Sequence, residues 1–161
     1  MAKNQWKDAK SKRPAGRFIQ LPCCVLNSKA FLGLSMHGRS LLIDMVVQYQ
    51  GNNNGDLSAT WRLMKARGWR SQDTLHKAKK ELLASGLIVE TRVGARPNKA
   101  SLYAMTFWAI DFCGGKLDML LRNFPRGQWS LAEPAPPLVE GTRSRKRSEK
   151  ANTPSVAVAH A

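Results

Sequence analysis

Apolar residues recur at helical spacing through the first half of the chain and at every second position after residue 87, and this change of period sets the expected elements. Phe18, Ile19, Leu21 and Leu26 make a short apolar entry, in which Pro22 argues against a regular helix. From Ser35 to Tyr49, residues Leu41, Leu42, Met45, Val46 and Tyr49 form one apolar stripe, and Ser35 is placed to cap the helix they predict. Gly51-Asn52-Asn53-Asn54-Gly55 ends that helix and is the clearest internal break, since Gly and Asn tolerate positive φ. Asp56 and Leu57 are expected to form a very short strand. Ser58 then caps a second helix over Ala59 to Arg67, with Leu63, Trp61 and Met64 as its inward candidates, and Gly68 stops it.

After a brief connection through Trp69 and Arg70, Ser71 caps a third helix that reaches Ser85 and closes at Gly86 in the usual left-handed cap position. On this helix Leu75, Ala78, Leu82 and the stem of Lys79 share one side, while Asp73, Lys77 and Lys80 point nearly the opposite way. From Leu87 the alternation of Leu87, Val89, Thr91 and Val93 with Ile88, Glu90 and Arg92 reads as a strand. Ser101 to Trp108 alternates again after the turn Gly94-Ala95-Arg96-Pro97-Asn98-Lys99, so the two runs predict a β-hairpin. Beyond it, Ile110 to Phe124 is weaker, and Leu117, Leu120 and Leu121 suggest one short packing helix. The fold class is therefore α+β, with residues 18–124 as one domain, 1–17 as a basic arm and 125–161 as a Pro-rich, basic tail. Both ends lack the apolar content that would offset ordering entropy and read as flexible.

Charge sharpens this division. The 161 residues carry 26 Lys and Arg against 11 Asp and Glu, a net charge of +15 that excludes an acidic binding surface. Residues 58–99 hold ten basic and three acidic residues, a net +7, whereas 18–57 is neutral and 100–142 is at −1. The arm adds +5 and residues 143–161 add +4. The central block lies inside the apolar-periodic part of the chain, so a folded surface must display it; the partner expected for such a surface is anionic.

Helix, short strand, helix, tight connection, helix, hairpin is also the element order of the winged helix-turn-helix family, which Leu57 to Tyr103 resembles. Gly68-Trp69-Arg70-Ser71-Gln72-Asp73-Thr74-Leu75 looks like the Gly-x-Ser-x-x-Thr-Val that opens a recognition helix, followed by Leu82, Leu83 and Gly86-Leu87-Ile88 leading into the wing. One extra residue stands between Gly68 and Ser71. The stretch from Leu34 to Asp118 is similar to small bacterial winged-helix proteins of plasmids, phages and integrated elements, some regulators and some replication initiators. The resemblance implies three helices plus a β-hairpin wing, double-stranded DNA as the partner, and a bacterial, cytoplasmic, nucleoid-associated setting. A homodimer would need a further helix outside this core, for which Leu117 to Phe124 is the candidate.

A helix fits the major groove of B-DNA, where each base pair shows its own set of donors and acceptors. Ser71, Gln72 and Thr74 on the first turn of the third helix suit phosphate and base-edge contacts, with Gln72 matched to adenine and Arg70 or Lys77 to guanine. Ser71 can equally serve as a plain cap, Lys77 and Lys80 as a solvated face, and Asp73 either as an acceptor from cytosine or as a favourable charge at the helix N-terminus. Arg92, Arg96 and Lys99 cluster at the hairpin turn, where arginine suits a narrow minor groove. Lys3, Lys7, Lys10, Lys12, Arg13 and Arg17, with Arg143, Arg145, Lys146, Arg147 and Lys150, are placed to track phosphates; the second run also resembles a nuclear import signal.

The other chemistries rank lower. Gly114-Gly115-Lys116 lacks the Ser or Thr and the earlier Gly of a phosphate-binding loop, because Leu117 follows the lysine. Asp111 and Asp118 have no third carboxylate nearby to hold Mg²⁺. Cys23, Cys24 and Cys113 show no Cys-x-x-Cys spacing and no disulfide framework, Cys23 and Cys24 have no His or basic neighbour to activate them, and His37, His76 and His160 are scattered, so neither a metal nor a cofactor is expected and the chain reads as a non-enzyme. The longest apolar candidate for a membrane span, Leu41 to Val47, contains Asp44 and is too short. No apolar segment follows the N-terminal charges as in a secretory signal. Two other readings stand beside DNA binding: an RNA-binding or assembly protein dominated by its tails, and a protein-interaction module presenting Trp108, Phe112 and Trp129.

Overall fold

The computed structural model describes residues 16–131, so the basic residues before position 16 and after position 131, with the import-signal reading, lie outside the described residues. Within them the chain is mixed α+β, with five α-helices and one two-stranded antiparallel hairpin. Helix α1 (Cys23–Leu26) begins directly after Pro22, against the expectation of no helix there. Proline is costly inside a helix but not ahead of its first turn, where its missing N–H would have had no partner. Helix α2 (Lys29–Leu32) follows, capped by buried Ser28, whose Oγ accepts from Phe31 N–H at 3.2 Å.

Helix α3 (Met36–Val46) is capped as expected by Ser35, whose Oγ accepts from Gly38 N–H at 3.1 Å, and it buries Leu41, Leu42, Met45 and Val46. It stops three residues short of the expected end. The Gln48 side chain pairs with the Ser58 backbone in both directions, accepting at 3.0 Å and donating at 2.9 Å, and Tyr49 beyond it stacks on Trp108 with ring centres 4.2 Å apart. Gly51 and Gly55 take the positive φ their positions require, at 101° and 135°. The loop between them is not a break in packing, however, because Asn54 is completely buried. Its side chain donates to the Met105 and Ala109 carbonyls at 3.0 and 2.7 Å and accepts from Met105 N–H at 2.7 Å; its own N–H donates to Asp111 at 2.7 Å.

The short strand expected at Asp56 and Leu57 reduces to one bridging residue, Leu57, which exchanges two backbone hydrogen bonds with Tyr103. Helix α4 (Trp61–Ala66) is shorter than expected and Ser58 does not cap it: it starts two residues later, Thr60 occupies the cap position without a side-chain bond, and the Ser58 hydroxyl accepts from Thr60 N–H at 3.4 Å. Met64 faces inward and Leu63 is 37% exposed, the reverse of Leu63's expected direction. The two lie only about 100° apart around a six-residue helix, so spacing alone cannot choose between them. Helix α5 (Gln72–Ala84) matches its expected cap and inner face: Ser71 Oγ accepts from Thr74 N–H at 3.3 Å, and Leu75, Ala78 and Leu82 are buried along α3. Gly86, at φ 71°, provides the left-handed exit.

The hairpin joins β1 (Ile88–Arg92) to β2 (Leu102–Met105), pairing Ile88 with Met105, Val89 with Ala104 and Glu90 with Tyr103, and a bulge precedes Arg92 opposite Leu102. Both strands are shorter than expected, and β2 is buried on both faces instead of alternating. The segment after it also packs against the hairpin and core. Asp118 and Met119 N–H donate to the Thr91 carbonyl, Gly127 N–H donates to Thr106, and Trp129 packs on the core. Residues 125–131, read from sequence as tail, thus continue the domain's packing. The helix expected over Leu117 to Phe124 is absent; a single 3₁₀ turn at Leu121–Asn123 stands in its place, with Leu120 and Leu121 exposed and Leu117 against Gly55. Only Leu117 of these leucines packs, so no shared helical face forms. Among the described residues no helix is long and apolar enough to cross a membrane.

Replacing Asn54 by Ala strips the Met105 N–H and two carbonyls of their buried amide partner. Asn54→Ala is expected to lower unfolding stability by on the order of 3 kcal/mol in urea titrations, whereas Asn52→Ala, on the exposed part of the same loop, should change it by less than about 0.5 kcal/mol.

Candidate nucleic-acid interface

The presentation of α5 is fixed from two sides. Its C-terminal half is tied to the start of α3 by Glu81, which accepts from Ser35 N–H at 2.5 Å and from Ser35 Oγ at 2.6 Å. Gly38 leaves room for this approach, since a Cβ there would stand 2.7 Å from Glu81 Oε2. The connection into α5 is held by Asp44 of α3, whose two carboxylate oxygens accept from Arg67 Nε at 2.7 Å and Trp69 Nε1 at 2.8 Å. Trp69 also lies 6.2 Å from His37, ring to ring, so the extra residue in this turn lays an indole on α3. With Leu75, Ala78 and Leu82 turned inward, residues Asp73, His76, Lys77 and Lys80 are left on the exposed side of α5.

The nine sequence-derived site residues do not all end up as free charges or free donors. Arg70, Gln72 and Lys80 are exposed, Thr74 is half-buried, and Ser71 is exposed with its oxygen occupied as the cap. Lys77 forms an exposed ion pair with Asp73 at 2.8 Å, one turn back on the same helix. That hydrogen bond, with the attraction of the same ammonium, holds the Asp73 carboxyl below its ordinary range; the reciprocal contact holds the Lys77 ammonium above its own.

The hairpin divides in the same way. Arg92 is half-buried and folds across the hairpin, donating from Nε and Nη2 to the Ala100 carbonyl at 3.2 and 3.0 Å. Lys99 pairs with Asp118 at 3.3 Å. Arg96 stands exposed at the hairpin tip. Sequence grouped these three as one cluster because they are close along the chain. The structure separates them because Arg92 precedes the turn on β1 and Asp118 arrives from a segment whose path is not coded locally.

Four further basic residues on α4 and α5 were not singled out from sequence. Arg62 and Lys65 are exposed on α4, three apart and hence on one side of it, and they were already counted in the +7 block. His76 and Lys79 line a groove of about 520 Å³ between α5 and the hairpin, with Gln72 beside them, Ser101 and Tyr103 opposite, and Thr60 and Trp61 at one end. The Lys79 ammonium sits 5.9 Å from the Tyr103 ring, and burial raises the phenol's pKa. Among the described residues Arg62, Lys65, Arg70, Lys80 and Arg96 have no acidic partner. These five exposed cations are distributed over α4, the turn, α5 and the hairpin tip.

Compared with protein-family models, curated proteins and solved structures, the chain matches none of them. Because Asp44 joins the turn before α5 to α3 with two charge-assisted bonds, Asp44→Ala is expected to cost about 2 kcal/mol in urea unfolding. Arg67→Ala alone should cost less, since the indole bond survives.

Proposed function

We propose that this chain is a winged-helix protein that binds double-stranded DNA, acting as a transcriptional regulator or replication-control factor of a bacterial mobile element, in the cytoplasm on the nucleoid. The observation that carries this reading is the run of unpaired, exposed cations from Arg62 and Lys65 on α4 through Arg70 to Lys80 on α5, with Arg96 at the tip of the adjoining hairpin. Leu57 bridging to Tyr103, followed by α4, the turn, α5 and the hairpin, supports the winged-helix arrangement.

In this arrangement α5 enters the major groove, and its width suits that entry. Helix α4 crosses the phosphate backbone, where Arg62 and Lys65 displace counterions. Gln72 and Lys80 meet base edges or phosphates, and Arg70 reaches the backbone beside the helix N-terminus. Ser71 donates its hydroxyl hydrogen outward while its oxygen caps the helix. Arg96 is the hairpin's minor-groove contact. The protein acts by binding, without catalysis or a cofactor, and nothing in this mode requires a second copy.

Each of Arg62→Ala, Lys80→Ala and Arg96→Ala is expected to weaken binding to a fluorescent duplex and to flatten the plot of log affinity against log salt by about 0.9 between roughly 50 and 200 mM salt. Arg67→Ala, whose guanidinium is held by Asp44, should leave the slope nearly unchanged. Slopes unaltered in all the first three variants would overturn the reading; loss of binding only on removal of residues 1–15 and 132–161 would assign the affinity to the arms.

A further inference from the structure

Asp73 is out of place on a face that is otherwise cationic or neutral. It lies in the first turn of α5 and is 70% exposed, so its charge meets any polyanion that approaches Arg70, His76 and Lys80. A carboxylate there weakens contact with phosphate in general, and by holding Lys77 it also withdraws one of the cations. A residue serving only phosphate attraction would be better as almost any neutral side chain.

The pair has a geometry that a base pair can answer. Asp73 Oδ2 and Lys77 Nζ are 2.8 Å apart on the exposed side of the helix, an acceptor and a donor side by side. In the major groove a C·G pair presents the cytosine N4 amino donor next to the guanine O6 acceptor, separated by one hydrogen-bond length of about 2.9 Å. The two arrays are complementary at the same spacing. Guanine adds N7 as a second acceptor for the ammonium. An A·T pair also sets an amino group beside a carbonyl, but adenine N7 then faces the carboxylate and the thymine methyl crowds the lysine. With the base pair reversed, carboxylate meets O6 and N7, and ammonium meets an amino group, so both contacts are repulsive.

We propose that Asp73 and Lys77, kept as an ion pair, are a specificity-determining unit that reads a single C·G base pair in one orientation, Asp73 on the cytosine amino group and Lys77 on the guanine O6 and N7. This rests on the placement of α5 in the major groove proposed above. Asp73 then supplies discrimination more than affinity: on a matching site its charge is satisfied by the cytosine amino hydrogens, and elsewhere it opposes the backbone contacts made by its neighbours.

Selection of bound sequences from a random duplex pool, with the full-length protein, tests this. The wild-type protein should enrich C·G at one position of its consensus. Asp73→Ala should lose that preference, by about tenfold, at that position alone, and should bind non-cognate duplexes more tightly than the wild type. Asp73→Asn should move the preference at the same position towards A·T, because a carboxamide pairs with adenine N6 and N7. All three proteins should melt within a few degrees of one another, since the side chain is exposed. An unchanged consensus in both variants would overturn the proposal and leave Asp73 as a helix-terminus charge. If the wild type itself retains no duplex at moderate salt or yields no consensus, the groove-binding reading fails and the proposal with it; that outcome is read on the wild type alone and so is separable from the first.

Discussion

A single buried carboxamide holds the described fold in register. Asn54 has no solvent contact, and each of its side-chain hydrogen-bonding groups is directed at backbone: one oxygen at Met105 N–H, one amino group shared between the Met105 and Ala109 carbonyls. A buried amide left unsatisfied is costly, so this arrangement tolerates little displacement of any of the three segments it joins. It sets the loop after α3 against the end of β2, and three residues later Leu57 lies beside Tyr103 as a bridging strand residue. Asp111 closes the same knot from the other side by accepting from Asn54 N–H. The hairpin therefore stands in a fixed relation to α3, and α5, packed along α3, stands in a fixed relation to the hairpin.

The second constraint is electrostatic. The central block of residues carries an excess of +7 by sequence, but carboxylates and carbonyls within the fold engage a good part of its positive charge. Asp44 takes Arg67, Asp73 takes Lys77, Asp118 takes Lys99, and the Ala100 carbonyl takes Arg92. These roles differ in kind. Asp44 is only 15% exposed and fastens a turn, whereas the Asp73 to Lys77 pair is open to solvent and can exchange partners at little cost. What remains without an acidic partner among the described residues includes Arg62 and Lys65 on α4, Arg70 in the turn, Lys80 on α5 and Arg96 at the hairpin tip.

Local rules account for most of α3, α5 and the hairpin. Ser35 and Ser71 cap where their position before an apolar stripe says they should, Gly86 leaves α5 in the left-handed region, and Leu75, Ala78 and Leu82 are buried because residues three and four apart share a helix face. The same rules fail elsewhere. The Ser58 hydroxyl accepts from Thr60 N–H instead of capping α4; β2 is buried at every position where alternation was expected; Leu117, Leu120 and Leu121 sit at helical spacing yet one packs on Gly55 and two are exposed. The exposed cations of the candidate interface were countable from composition, but which of them stay free was not, because Asp44, Asp118 and Ala100 reach their partners by folding rather than by sequence proximity.

Sequence by itself determined the α+β character, the order of elements from residue 35 to residue 108, the inner face of α5 and the concentration of charge in residues 58–99, since each follows from interactions within a few residues of one another. Tertiary structure decided that Asn54 is a buried tie instead of a loop-tip residue, that Met64 and not Leu63 faces the core, that residues 125–131 belong to the packed domain, and that Arg92 and Lys99 are engaged while Arg62, Lys65, Lys80 and Arg96 are not. The physical reason is the same in each case. Burial and ion pairing are satisfied by whichever partner the whole chain brings within reach, and for these residues that partner lies on an element or segment that local periodicity does not place.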